Sequence, residues 1–546
     1  MKLSELSEKR STQLTMGKQQ KTREARKKLR EFQISIEELE ALLDRLEQKN
    51  LLESDYPLII EIIKNFTSIQ DQFKNSASTI KKLQKLMFGP KTERVQLPSD
   101  LKATDTGEKA KGHGKKPVTA WVDQPAQICF HSHEELKEGV LCPKCQMGKL
   151  AKFKPSVRVR IIANRVLDVE QHQIQRLRCS ACGWLFTATP KGDVQKYPDA
   201  TPEAMAMSAL LKYQSGFPPY RLLGFLSAQG VYLTWTKIWT MILAVFEAVV
   251  AVFKYLCRLS ANAKLAQNDD TGAKILDLLK ANKNKDEKER KAIQTSGLLF
   301  ETQDSNRIIL YRTGHQNAGE NLEEILKNRT DPDPPLHMGD ALSANRPGDI
   351  KTIPGNCLDH FRREFYDLYD DWTEQCEFIL THLRAIYKID AKAKKKQLTQ
   401  SQRLTLHQNK SKIHVDEIHQ WMKMQMDEKK VEPNSNLGKA IRYGLRHWEK
   451  LTAFMRVEGM PLSNIALERL LKRVVLHRKN SLFYKTEKGA YVGDVLMSVI
   501  QTANEAKVNV LNYLVALIKN EKDVKEQPQL WLPWNYSERL LELTPA

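Results

Sequence analysis

Two Cys-x-x-Cys knuckles, Cys142-Pro143-Lys144-Cys145 and Cys179-Ser180-Ala181-Cys182, restrict what the middle of this chain can fold into. Each such turn presents two thiolates to one side of an ion, and two turns complete the tetrahedron that zinc prefers. The sequence between them alternates apolar and polar residues as strands do, for example Val157-Arg158-Val159-Arg160-Ile161-Ile162. The expectation is a zinc ribbon over residues 118–192, with one structural Zn2+ on Cys142, Cys145, Cys179 and Cys182. Four thiolates leave no open coordination position, so chemistry is not expected of this ion. The competing reading is four reduced cysteines buried as small apolar side chains. Cys129, His131 and His133 lie nearby and read as bystanders.

A chain of 546 residues exceeds what one hydrophobic core organises, so several domains are expected. The formal net charge is +20 and it comes in blocks. Phosphates neutralised by such blocks release condensed counterions, which favours a polyanionic partner over a merely soluble basic surface. Eight cysteines in so long a chain do not suggest a disulfide framework. The start, Met1-Lys2-Leu3-Ser4-Glu5, leads into polar and basic residues rather than an apolar leader. The longest apolar run, Ile242 to Leu256, is interrupted by Glu247 and Lys254 and reads as too short for a membrane span. An intracellular protein without a membrane partner is the expectation.

Residues 1–100 read as a basic arm followed by helices. Phe32, Ile36, Leu39, Leu43 and Leu46 recur in steps of four and three, break at Ser54-Asp55-Tyr56-Pro57, and resume from Ile59 to Met87. Sustained heptads argue for a coiled coil that pairs protomers. A helical hairpin packed on itself or on the body is the alternative. Residues 101–117 are a Lys/Gly/Thr/Asp linker. Over residues 193–262 the pattern is helical: Pro218-Pro219-Tyr220-Arg221 opens a helix running to Gly230, and Thr234-Trp235-Thr236-Lys237 opens another. Two short helices hinged near a glycine fit a helix-turn-helix that brings Lys237 to DNA. Lys264 to Leu276 and Gly297 to Thr313 read as strands, and a further short strand ends at Asp340. Residues 263–355 thus hold the first part of an α+β domain, 356–457 a charged helical insertion, 458–520 its second part and 521–546 a tail.

Chemistry enters with Ser463-Asn464-Ile465-Ala466-Leu467-Glu468-Arg469-Leu470. Glu468 is one acid on an apolar helix face, amid Arg469, Lys472, Arg473, Arg478 and Lys479. A lone acid among bases builds a poor solvated face but a good place to hold a metal ion beside a polyanion. Asp269 and Asp340 each end a strand-like stretch. Phosphodiester chemistry is commonly done by two divalent ions about 4 Å apart, gripped by carboxylates. Hard oxygen ligands suit Mg2+, or Mn2+ in its place. The ordinary readings are turn residues for the aspartates and a solvated helix face for the cations. Spacing alone does not join three distant acids.

A family resemblance joins them. Phe88-Gly89-Pro90-Lys91-Thr92-Glu93 resembles the FGxxSE motif of the insertion-sequence-66 family of transposases, and the cysteine knuckles resemble its zinc-binding domain. Pro219-Tyr220-Arg221 and the helices after it look like its helix-turn-helix. Asp269-Asp270-Thr271 stands where that family has Asp-Glu-Thr, and Asp340 matches its second acid. Cys357-Leu358-Asp359-His360-Phe361-Arg362-Arg363-Glu364-Phe365 is similar to GCxAHxRRxF, and Leu437-Gly438-Lys439-Ala440-Ile441-Arg442-Tyr443 to LGKAxRY. Asn464 through Phe483 is similar to the block NNxxERxxR…GRKNWLF, and Leu532-Pro533-Trp534-Asn535 also fits.

The resemblance covers nearly the whole chain and implies a multidomain α+β protein. Its ribonuclease-H-like catalytic domain would carry an Asp-Asp-Glu triad at Asp269, Asp340 and Glu468, with two Mg2+ or Mn2+ ions. Arg469, Lys472, Arg473, Arg478 and Lys479 would line the DNA path, and His360 would support the site or touch DNA, its ordinary reading being a satisfied core residue. The implied activity is cleavage at transposon ends and strand transfer into target DNA, in the bacterial cytoplasm, by a homo-oligomer aided by accessory proteins of the same element. Asp270 replaces a glutamate, Ser463 and Ile465 depart from the pattern, His477 replaces a glycine and Ser481 a tryptophan; no triad acid is lost. The rival reading is an inactive or repurposed relative that only binds DNA.

Overall fold

The computed structural model describes residues 36–60, 62, 138–141, 143–147, 149–151, 165–178, 180, 182, 185–286 and 289–543. Cys142, Cys179, the strand-like run 157–162, the 88–93 motif, the linker and most of the heptads lie outside these residues. The chain divides into two compact units. One comprises Met1–Gly89, Glu364–Thr381 and Ile418–Leu445, the other Pro90–Arg363, His382–Glu417 and Arg446–Ala546.

In the first unit, helix α1 (Ile36–Glu47) is followed by a turn in which Arg45 makes two 3.0 Å hydrogen bonds to the Asp55 carboxylate. The Leu52 amide also donates to Asp55, so the expected break in the heptads is a built turn. Elsewhere in this unit the Phe378 and Trp421 rings stack with centroids 5.5 Å apart.

The first strands of the second unit, among the described residues, are a small antiparallel pair, β1 (Arg176–Arg178) and β2 (Leu185–Thr187), preceded by an isolated antiparallel bridge between Leu141 and Lys149. Cys182 lies in the connection between them, and both Cys145 and Cys182 are exposed. Next come helices α2 (Pro202–Ala209) and α3 (Pro219–Ser227), then α4 (Trp235–Ala261). Gly230 has φ +78°, which suits the turn after α3, and the Thr234 hydroxyl caps α4 by accepting from the Lys237 amide. The second helix is not short, however. It runs 27 residues, because the apolar run continues straight out of its first turn and buries Ile238, Ile242, Val245, Val249, Val252 and Leu256 in the core. By length and composition α4 is apolar enough to cross a membrane, yet half of its most apolar window is buried inside this fold.

The central sheet has five strands: β3 (Leu265–Gly272), β4 (Gln294–Glu301), β5 (Arg307–Gly314), β6 (Leu336–Gly339) and β7 (Ile353–Asn356). They lie in the order β5-β4-β3-β6-β7. β3, β4 and β5 form an antiparallel meander, while β3–β6 and β6–β7 pair in parallel. Helix α5 (Ala318–Leu326), which separates β5 from β6, starts with a reciprocal capping box between Asn317 and Glu320. Strands overlap the expected stretches Lys264–Leu276 and Gly297–Thr313 and precede Asp340, although β3 ends at Gly272 and Leu276 opens a short helix, Leu276–Ala281.

After β7 come α6 (Leu358–Tyr366), α7 (Thr373–Lys395), α8 (Gln400–Lys410), α9 (Lys412–Asp427) and α10 (Asn436–Leu451), the charged helical stretch read from sequence. The chain then returns through α11 (Ile465–Ser481), α12 (Glu487–Glu505) and α13 (Val510–Lys519). α12 closes the sheet's outer edge. Asp494, Ser498 and Thr502, one turn apart, accept from the β5 amides of Thr313, Tyr311 and Ile309 at 2.7, 2.9 and 3.1 Å. An edge strand with unpaired amides invites pairing with another chain, and here a row of helix side chains satisfies them instead.

Candidate active site

Along β3, successive side chains face opposite sides of the sheet. Asp270 faces α5: its oxygens accept from Ser296 Oγ at 2.7 Å and from the Ala318 amide at 2.8 Å, in the first turn of α5. The acid that replaces the expected glutamate is therefore fixed as a fold contact, where a helix N-terminus welcomes negative charge. Asp269 faces the other way, toward α11.

Gly297 explains how α11 comes so close. It is the register partner of Asp269 on β4, and a Cβ there would fall 2.6 Å from Leu471 Cδ2 and 2.9 Å from its Cγ. The missing side chain lets Leu467 and Leu471 rest on the sheet beside Asp269. Leu467, Leu470, Leu471 and Val474 supply the buried stripe of α11 at helical spacing, and Glu468 is carried in at the stripe's edge.

Asp340 follows the last residue of β6. The parallel β3–β6 register, Gln267 opposite Met338, sets Asp269 opposite Asp340 when continued by two residues. The Asp340 carboxylate accepts from the Leu342 amide at 3.0 Å and from Asn345 Nδ2 at 2.8 Å. Asn345 is tied in turn to the sheet, since its carbonyl accepts from Asn268 Nδ2 at 2.6 Å. Asn268 Oδ1 then lies 2.7 Å from His337 Nε2, and burial pushes His337 down to about 4, so a neutral ring donates this bond.

The three acids share one electrostatic neighbourhood. Burial pushes the Asp269 carboxyl up to about 6; the Asp270 amide, donating at 2.8 Å, opposes this, and the charges of Asp340 and Glu468 add to it against His360. Glu468 lies 3.9 Å from His360 Nδ1 through one oxygen and 3.9 Å from Arg363 Nη2 through the other, beyond hydrogen-bond reach. Its Oε1 is buried without a hydrogen-bond partner among the described residues. A Cys357 sulfur, a His360 nitrogen and a Glu468 oxygen fall within 4.8 Å of one another. Burial pushes the Cys357 thiol up to about 12, so the soft ligand stays protonated near neutrality while the carboxylates offer hard oxygens. Desolvated acids set against each other, with an orphaned carboxylate oxygen, fit a hard divalent cation.

The basic residues divide into two groups. Arg469, Lys472, Arg473 and Lys479 are exposed on the side of α11 away from its buried stripe. Arg478 instead turns back on the sheet, donating to Thr271 Oγ1 at 3.0 Å and to the Gly272 carbonyl. Lys237 is held 2.6 Å from Asp199. His477, where the family pattern has glycine, lies between the Tyr213 and Tyr484 rings at 5.7 and 5.6 Å, and burial pushes it down to about 3. It fills space as a neutral ring. Sequence reasoning did not single out Asn268, His337, Asn345, Gly297 or Arg363; only Arg363, inside a quoted motif, gave a signal.

Comparison with known proteins adds the family. The chain is 27% identical over 186 residues to the uncharacterized protein y4jD of Sinorhizobium fredii, covering 33% of this chain and 35% of that one. It is 29% identical over 141 residues to y4hP of the same organism, covering 26% of this chain and 25% of that one. With y4qI the identity is 25% over 200 residues, covering 36% of each. The chain thus spans about a third or less of these curated relatives. The sequence pattern described as Transposase IS66 family matches residues 199–492, more than half of the chain and a stretch that contains Asp269, Asp340 and Glu468. The chain belongs to the transposase IS66 family.

Proposed function

We propose that this protein is a DNA transposase that cleaves and joins DNA strands with divalent metal ions held by Asp269, Asp340 and Glu468. The observation carrying this reading is the charge environment of Asp269, whose ionisation is opposed by burial and by both other acids. Carboxylates gathered this closely, with Arg363 near only Glu468, suit Mg2+ or Mn2+ far better than a soft ion. Two such ions, when bound, supply a nucleophilic oxygen and neutralise the charge that builds on the phosphate.

The chain's own residues position these acids. Asn345 orients Asp340, the Asp270 amide orients Asp269, and the Gly297 gap seats the helix that carries Glu468. His360 and Arg363 flank Glu468 on the side where a phosphate would add negative charge. The exposed cations Arg469, Lys472, Arg473 and Lys479 attract the DNA backbone, whereas Arg478 braces the end of β3. Lys237 would reach DNA only by exchanging Asp199 for a phosphate.

The antiparallel meander continued by two parallel strands supports a ribonuclease-H-like domain formed by residues 263–355 and 458–520 around the insertion 356–457. In the same reading, a zinc ribbon at 118–192 and a helix-turn-helix within 193–262 recognise the terminal inverted repeats. The N-terminal helices pair protomers so that two DNA ends are handled together, in the bacterial cytoplasm and with accessory proteins of the element.

Labelled terminal DNA incubated with the purified chain and Mg2+ tests the proposal. Joined product that disappears in Asp269→Asn is the expected result. Binding without cleavage points to a DNA-binding protein only, and cut ends without joined product to a hydrolytic nuclease; both contradict it.

A further inference from the structure

Away from the three acids, the helical insertion brings together a different set of ligand-type side chains. His414 and Glu417 lie three residues apart on α9, so they share one face of that helix. His382 reaches them from α7. Its Nδ1 lies 3.1 Å from His414 Nδ1 and 2.9 Å from Glu417 Oε2. One ligand atom from each of the three side chains falls within 4.8 Å of the others. The imidazoles are tilted by 56° with centroids 5.3 Å apart, so their nitrogens converge while the rings do not stack.

A shared proton satisfies this arrangement poorly. A neutral imidazole carries one N–H, so a hydrogen on His382 Nδ1 can point at the His414 nitrogen or at the Glu417 oxygen, not at both. A metal ion engages all three lone pairs at once. Zinc bonds of about 2.0–2.1 Å to nitrogen and 2.0–2.2 Å to oxygen, arranged tetrahedrally, hold such atoms about 3.3–3.5 Å apart. The two separations from His382 need to open by only a few tenths of an ångström. The Glu417 side chain is 44% exposed, against 16% for His382, so an ion has a path in from solvent.

We propose that His382, His414 and Glu417 form a binding site for one divalent transition-metal ion of the zinc class, clipping α7 to α9 within the insertion. Two imidazoles and one carboxylate suit zinc and its neighbours rather than magnesium. Three protein ligands leave a fourth position for water. The site is independent of the strand-transfer reading, since none of the three residues belongs to the triad.

The test uses the full chain equilibrated with zinc alone and freed of unbound ion. Zinc content is compared between wild type, His414→Gln and Glu417→Gln, whose half-exposed, isosteric change spares the fold. One fewer zinc per chain in both variants is expected, regardless of what the cysteine knuckles retain. Equal zinc content in all three proteins overturns the proposal and leaves an ordinary hydrogen-bonded triad. A second measurement needs only the wild type: cobalt substitution should give paramagnetically shifted, exchangeable imidazole N–H resonances, which cysteine ligands cannot produce. Their absence overturns the proposal equally.

Discussion

Asp390, on α7, has Arg403 Nε and Lys394 Nζ each 2.7 Å from its oxygens and His407 Nε2 at 3.3 Å. Burial alone would raise its proton affinity, yet the hydrogen bond from His407 and the charges of Arg403 and Lys394 hold it well below the usual carboxylate range. Asp269, on β3, is also desolvated, but its acidic neighbours are Asp340 and Glu468, and it is pushed up to about 6. One region answers a buried acid with protein cations, and the other answers it with more acids. The first arrangement holds helices together. The second stores unfavourable charge that an added cation relieves, which is expected of a site and not of a scaffold.

Five substitutions sharpen or break this contrast, in falling order of effect on stability. Asp390→Ala strands the Arg403 guanidinium, only 12% exposed, and should cost about 3–5 kcal/mol by urea unfolding. A loss under about 1 kcal/mol would mean that the cluster does not hold the insertion. Gly297→Ala pushes a methyl into Leu471 and should cost about 1–3 kcal/mol. Strand joining should fall further than stability explains, by roughly 10²-fold, because Glu468 moves with its helix. An unchanged joining rate would show that the close seat of α11 is not what positions the acid. Arg478→Gln, which weakens the grip on Thr271 and Gly272, should cost about 1 kcal/mol and leave the salt dependence of DNA binding nearly unchanged. Lys472→Gln or Arg473→Gln should instead reduce that salt slope by about one each with little loss of stability. The reverse pattern would exchange the roles of the two groups of cations.

Much of the sheet was legible because its strands are long and apolar. Leu298-Leu299-Phe300 and Ile308-Ile309-Leu310-Tyr311 are buried almost completely. Three acids at a strand, a strand end and a helix were legible only through motif resemblance, since nothing local joins residues so far apart in sequence. What keeps them in place was not legible. The partners of Asp340 run through Asn345 to Asn268 and His337, 69 residues from one another in the last link, and polar residues at such separations carry no periodic signal. Gly297 reads as an ordinary strand glycine until the helix above it is seen. The helix-turn-helix pattern does not show the length of α4: the apolar run from Ile242 to Leu256 prolongs the helix opened at Thr234, with Glu247 and Lys254 exposed on its outer side while Ile242, Val249 and Leu256 stay inside. Likewise, Asp494, Ser498 and Thr502 gave no warning that a helix would shield the edge of β5.

The most direct test of the unbalanced acid cluster is the unfolding free energy of wild type and Asp269→Asn from pH 4 to 8, with magnesium and manganese absent. In the unfolded chain Asp269 ionises in the usual carboxylate range, whereas in the folded protein it holds its proton up to about 6. Wild-type stability therefore drains away as pH rises through that window. The asparagine variant should be the more stable protein at pH 7, by on the order of 2 kcal/mol once partial exposure is allowed for. The gap should close as the pH falls toward 4. A variant less stable than wild type at pH 7, or a gap that ignores pH, would contradict the account.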